Sequence, residues 1–114
     1  MKKDFEEVWL DIQKALRHRS KISTLCRKID NLIVEVTPDY ITLRSKLSRK
    51  GTLRKLSRED FRYVWDKLVE EGIYGLDGIR GIIGRRAIIC AIMGLLSYVD
   101  AGCINGKIHL RLKG

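Results

Sequence analysis

Fifteen residues of this chain concentrate its chemistry. Between Arg44 and Arg58 stand seven cations (Arg44, Lys46, Arg49, Lys50, Arg54, Lys55 and Arg58) and no carboxylate. Guanidinium and ammonium groups at this density suit phosphate binding, because each phosphate they neutralise releases condensed counterions from a nucleic acid. The surplus is local. Residues 14–58 hold thirteen Lys and Arg against three acids, Asp30, Glu35 and Asp39, so this stretch alone exceeds the +9 of the whole chain. A localised positive field attracts polyanions.

A second group follows in Gly78-Ile79-Arg80-Gly81-Ile82-Ile83-Gly84-Arg85-Arg86. Arg85 and Arg86 open a predicted helix, where the helix dipole disfavours cations. An anion held by first-turn N–H groups and the two arginines would relieve the conflict. Pairing with Glu70, Glu71 or Asp77 would do the same. The glycines build neither a Walker loop, which needs a following Gly-Lys-Ser/Thr, nor GxGxxG, because Ile79 takes a required glycine position.

Catalysis finds no support. His18 lies in a basic cluster and His109 on a predicted strand, and no nucleophile, acid or base is grouped with either. Cys26, Cys90 and Cys103 are odd in number, widely spaced and free of any CxxC pair. That pattern fits neither a secreted disulfide framework nor a zinc site, and predicts buried free thiols. No metal or other cofactor is expected. Residues 1–11 are acidic rather than apolar, and the longest uncharged run, 87–99, is too short to span a bilayer. The expectation is a cytoplasmic protein without membrane contact. Scarce Asn and Gln beside abundant Ile, Lys, Arg and Glu give the composition a thermophile-like cast.

The elements that must position these groups fit one domain over 1–114. Phe5, Val8, Trp9, Ile12 and Leu16 make one apolar stripe of a helix from Asp4 to about Arg19, with Asp4 and Glu7 placed for a capping box. Lys21 to Asn31 reads equally as a short helix or a short strand. Leu32–Val36 and Tyr40–Leu47 read as a β-hairpin turning at Pro38-Asp39. Period-two alternation sends Arg44 and Lys46 to the face opposite Ile41, Leu43 and Leu47. Ser48 to Leu56 is expected to be an exposed loop. A second helix runs from about Arg58 to Glu71, with Ser57 as N-cap and Gly72 as C-cap. A glycine-punctuated connection with a helical turn near Asp77 leads to a third helix, Arg85–Tyr98. It is apolar on every side, so it should be the core helix, with a close neighbour at Gly94. Asn105-Gly106 marks a final hairpin. The predicted class is α+β: an antiparallel sheet of about three strands backed by three main helices, in the order α-β-β-α-α-β.

Two nucleic-acid folds are similar at the level of pattern. The element order resembles the type II KH domain, whose GxxG loop clamps a single strand; Gly78-Ile79-Arg80-Gly81 and Gly81-Ile82-Ile83-Gly84 both spell GxxG. Phe61 to Tyr98 followed by Asn105-Gly106 resembles a winged helix-turn-helix, which implies a groove-reading helix and a hairpin wing. The leading expectation is a nucleic-acid-binding module, DNA or RNA, using Arg44, Lys46, Arg49, Lys50, Arg54, Lys55 and Arg58, with Arg85 and Arg86 as a secondary site. The alternative is a protein-interaction or accessory subunit, homodimeric through an exposed apolar face.

Overall fold

The computed structural model describes residues 3–26, 28–46, 50–76 and 85–113. Helix α1 (Phe5–Arg17) buries the predicted stripe of Phe5, Val8, Trp9, Ile12 and Leu16. Asp4 stands at its N-cap, yet its side chain makes no cap hydrogen bond; its backbone carbonyl accepts from the N–H groups of Glu7 and Val8 instead. The expected capping box with Glu7 is therefore not formed.

The ambiguous stretch after α1 resolves into strand β1 (Lys21–Ser23), antiparallel to β2 (Asp30–Val36). Strand β3 (Tyr40–Ser45) returns from the predicted turn. Thr37 organises that turn. Its hydroxyl accepts from the N–H groups of Asp39 and Tyr40 and donates to the Tyr40 carbonyl. Helix α1 clamps it from outside: Trp9 Nε1 donates to the Pro38 carbonyl at 2.7 Å, and Gln13 Nε2 to the Thr37 carbonyl at 2.9 Å. Trp9 is the core anchor expected of it, with a satisfied polar end.

Strand β4 (Leu53–Ser57) replaces the last four residues of the expected loop, and it pairs antiparallel with β3. The physical reason is Leu56. It sits opposite Ile41, both fully buried, and one core leucine fixes the register of a strand otherwise rich in cations. Helix α2 (Arg58–Glu71) has the predicted ends. Ser57 and Asp60 form a reciprocal capping box, and Gly72 closes the C-terminus with its N–H on the Leu68 carbonyl.

Strand β5 (Ile73–Leu76) lies where a connection is expected. Helix α3 (Arg85–Met93) is shorter than predicted. Past Met93 the N–H groups of Leu95 and Leu96 turn to carbonyls three residues back, and at Gly94 an added Cβ would stand 2.6 Å from the Ala101 Cβ. The close neighbour expected at Gly94 is present, but just past the helix. Strands β6 (Val99–Ile104) and β7 (Lys107–Leu112) form the predicted hairpin. Asn105 and Gly106 both hold positive φ, 53° and 76°, as a two-residue turn between right-twisted strands requires.

The α+β class holds, but the single sheet of about three strands does not. Among the described residues the strands form two antiparallel sheets, β1-β2-β3-β4 and β5-β7-β6. The strands beyond those expected are β1, β4 and β5, all short, and β6 extends well before the Cys103-Ile104 end of the predicted hairpin. Helix α3 packs on β1 of the first sheet and on β6 and β7 of the second; α2 likewise meets β4 on one side and β5 and β7 on the other. Every residue of α3 from Ala87 to Met93 is buried, so it is the core helix the sequence predicts.

These facts also limit both resemblances. The KH element order does not survive the additional strands, and both GxxG stretches fall outside the described residues. A hairpin stands where the winged fold would put its wing, but α3 is enclosed by two sheets and cannot present Ala87–Met93 to a DNA groove.

The free-thiol expectation needs correction too. Cys26 and Cys103 form a disulfide across 77 residues, with Cα atoms 5.2 Å apart. Cys90 alone is free and buried. Because α3 packs on both β1 and β6, the loop after β1 comes to rest against β6, an adjacency that cysteine spacing cannot reveal. Tyr98 adds a further tie, its hydroxyl donating to Asp11 Oδ2 at 2.8 Å. Burial and this bond raise the Tyr98 pKa. Burial also pushes the Asp11 carboxyl up, but hydrogen bonds from Tyr98 and Lys3 outweigh it and hold that group below its ordinary value.

Candidate nucleic-acid interface

Much of the basic run falls on the paired strands β3 and β4, so strand register decides where those cations go. Opposed residues in an antiparallel pair share a face. Ile41, Leu43 and Leu56 point to the helices, and Arg54, opposite Leu43, shares that side. The outer face carries three rows. Lys21, Leu32, Arg44 and Leu53 cross all four strands; Glu35, Thr42 and Lys55 make the next row; Tyr40 and Ser57 close it at the turn end.

In this register no cation of the ladder faces another. Arg44 lies opposite Leu53, Arg54 opposite Leu43 and Lys55 opposite Thr42. Lys55 Nζ stands over the Tyr40 ring, 4.1 Å from its centroid. The Tyr40 hydroxyl bonds to Glu35, and that bond with its negative charge raises the phenol pKa. These groups surround a shallow depression lined by Val34, Glu35, Tyr40, Thr42, Leu53 and Lys55.

The remaining predicted residues divide. Lys46 Nζ lies 3.5 Å from Asp30 Oδ2, which Lys21 also reaches at 3.6 Å. Asp30 accepts a short hydrogen bond from the Ser23 hydroxyl. That bond, together with the two lysines, outweighs the opposing effect of burial and holds its pKa below the ordinary value. Arg58 turns away from the hairpin. It pairs with Glu6 of α1 and Glu59, and lies over the Phe5 ring. Lys50 is exposed at the tip, and Arg49 lies outside the described residues. Arg86 is exposed and stacks over Tyr63 of α2 at 4.7 Å. The structure therefore brings Arg44, Lys50 and Lys55 to one hairpin as cations with no carboxylate in ion-pair reach among the described residues.

No family model matches the chain, and no curated protein or solved structure is similar to it. The interface rests on its own geometry. Sequence reasoning missed Lys21, Tyr40 and Leu53 as parts of this face. Lys21 needed β1 to be recognised as a strand, and Leu53 needed β4; Tyr40 was visible as a strand residue but carried no charge to draw attention. No helix is long and apolar enough to cross a membrane among the described residues. Nor does any cluster of three or more His, Cys, Asp or Glu there suit a metal ion.

Proposed function

We propose that this protein binds nucleic acid through phosphate contacts from the β3–β4 hairpin and the outer face of its sheet. The observation that carries this reading is the unmatched charge on one hairpin. From Arg44 to Arg58 there is no carboxylate, and of the described cations only Lys46 and Arg58 meet an acid elsewhere. Arg44, Lys50 and Lys55 stay available, and Lys21, shared with Asp30, stands in the same row across the sheet. Such a surface reads backbone rather than base edges.

The test is a titration of labelled oligonucleotides followed by anisotropy at several salt concentrations. Affinity should fall steeply with salt, the logarithmic slope being about 0.9 per neutralised phosphate for duplex and 0.7 for single strands. The variant Arg44→Gln/Lys50→Gln/Lys55→Gln should lower both affinity and slope while keeping the thermal transition of the parent. An unchanged slope would refute the assignment. A cytoplasmic location is part of this proposal, and the Cys26–Cys103 bond is compatible with it where intracellular disulfides persist, as in hyperthermophiles.

A second reading draws on the other sheet. Ile73 and Ile104 are 58% and 59% exposed on its outer face, flanking His109. A homodimer through this face would cover them. Light scattering that gives a stable dimer, dissociated by Ile104→Lys, would support that reading, and a monomer at every concentration would remove it.

A further inference from the structure

We infer that the outer face of the four-stranded sheet takes an unpaired nucleobase beside Tyr40, so that the partner is a single-stranded nucleic acid rather than a duplex. This rests on the nucleic-acid reading above and narrows it.

Four features of the face point to a base as well as a phosphate chain. First, it exposes large apolar side chains among its cations: Leu53 is 57% and Val34 51% exposed, both lining the depression that holds Tyr40. A phosphate gains nothing from them, whereas the flat face of a base does. Second, Tyr40 is a ladder residue paired with Ser57 of β4, so its ring projects from a fixed backbone position beside Glu35. An aromatic ring so placed is the usual platform for an unstacked base.

Third, the depression holds both charges, Glu35 and Lys55, and the other cations lie toward its hairpin-tip side. Glu35 lies inside the depression, where its carboxylate would repel a phosphate but can accept from the exocyclic amino group of a base. Arg44, Lys21 and Lys50 lie outside it, along β3, β1 and the hairpin tip, where the backbone on either side of an inserted base would run. Fourth, the ring face is held by an exchangeable group. Lys55 Nζ covers Tyr40 at 4.1 Å in an exposed cation–π contact, weaker than a base stack. An arriving base displaces the ammonium, and the freed Lys55 moves to the phosphate beside it. A duplex cannot make this exchange, because its base faces are already stacked on one another.

The experiment compares single-stranded DNA, single-stranded RNA of the same sequence and the corresponding DNA duplex by anisotropy at one low salt concentration. Parent protein is measured beside Tyr40→Ala, Leu53→Ser and the triple cation variant, each checked by circular dichroism for a parent-like thermal transition. One of the single-stranded arms should bind at least tenfold tighter than the duplex, and the tighter arm identifies the sugar. Tyr40→Ala should cost that arm about tenfold, the scale of one lost base stack, and leave duplex affinity within about twofold. Leu53→Ser alters an exposed side chain, so it keeps the test open if Tyr40→Ala is unstable; it should cost the same arm about threefold. Quenching of 2-aminopurine in the bound strand, lost in Tyr40→Ala, would report the stack directly. Equal or tighter duplex binding, or single-strand affinity indifferent to both Tyr40→Ala and Leu53→Ser, overturns the inference. If the triple variant still abolishes binding in that case, the phosphate grip stands without a base subsite. If no oligonucleotide binds the parent, both readings fall.

Discussion

The two hairpins of this molecule handle positive charge in different ways. In β6–β7 two of the three cations share an acid within the chain: Asp100 lies 3.8 Å from Arg111 and 3.5 Å from Lys113. In β3–β4, Arg44, Lys50, Arg54 and Lys55 meet no carboxylate among the described residues, and the strand register only keeps them from facing one another. The first hairpin meets part of its charge internally. The second avoids the worst repulsion but holds no such acid among the described residues. The lesson is that total charge says little about partners; what matters is which cations find an acid once strands have paired. Exposed pairs contribute little stability by themselves, so the difference bears on binding more than on folding.

The largest effect should come from cutting the bond that joins the two sides. The Cys26–Cys103 disulfide links the loop after β1 to β6, so it ties the basic sheet to the β6–β7 hairpin. Closing a loop of this length contributes about 4 kcal/mol on chain-entropy grounds. Reduction, or Cys26→Ser/Cys103→Ser, should therefore lower the thermal midpoint by more than 10 °C, on the scale of several degrees per kcal/mol for a domain of this size. Nucleic-acid affinity well below that midpoint should stay the same, since no cation of the basic face is touched. Thiol titration supplies a companion check. Burial pushes the Cys90 thiol up to about 12, despite the opposing charge of Arg86. The oxidised native protein should thus give no reactive thiol to a disulfide reagent at neutral pH, one after denaturation, and three after reduction as well.

Next in size is a direct contrast of the hairpins by charge removal. The triple variant in β3–β4 should weaken oligonucleotide binding on the order of a hundredfold at low salt, three phosphate contacts being lost. Arg111→Gln/Lys113→Gln in β6–β7 should change it by no more than about threefold, the loss expected from general field alone. Equal losses from the two variants would mean that binding follows net charge, and the contrast between the hairpins would then have no functional content.

A smaller effect should follow from crowding the β6–β7 hairpin. Gly94→Val would drive a side chain into Ala101 of β6, where even a Cβ stands at 2.6 Å. Moving β6 aside should cost about 2 kcal/mol, measured by denaturant unfolding. Because β6 lies at an edge of the second sheet, binding by the first sheet should be unaffected.

Much of the fold was legible because apolar periodicity and caps are local signals. The stripe of α1, the Ser57 and Gly72 ends of α2, the all-apolar α3 and the Asn105-Gly106 turn each declare themselves within a few residues. What was not legible depended on contacts between distant segments. Strand β4 hides in a basic run because a single buried side chain, Leu56, holds it in register. Strand β5 has Gly75 in its four residues and gains its identity only from pairing with β7. The disulfide required knowing that two sheets share the same helices. The candidate site shows the same division. Its cations could be counted from the sequence, but Arg58, bound to Glu6 across 52 residues, and Lys46, beside Asp30, could not be set apart from Arg44 and Lys55 before the strands were paired.

Asp30 offers the finest adjustment of the contrast, because on the basic sheet it plays the part that Asp100 plays on the other. It holds Lys21 and Lys46 and accepts from Ser23, and these contacts keep its pKa below the ordinary carboxylate value. A depressed folded-state pKa stabilises the fold only while the group is ionised. The contribution is complete above the ordinary carboxylate value and disappears as pH falls through the lower, folded value. Asp30→Asn should accordingly destabilise the protein slightly at neutral pH, and the difference from the parent should vanish in acid. Binding should move the other way. With the carboxylate gone, Lys21 and Lys46 are released to the phosphates, so affinity should rise about threefold and the salt dependence steepen. Tighter binding from a less stable variant separates the two uses of these lysines: if Asp30→Asn instead weakens binding at neutral pH, then Lys21 and Lys46 serve the strand ends and not the ligand.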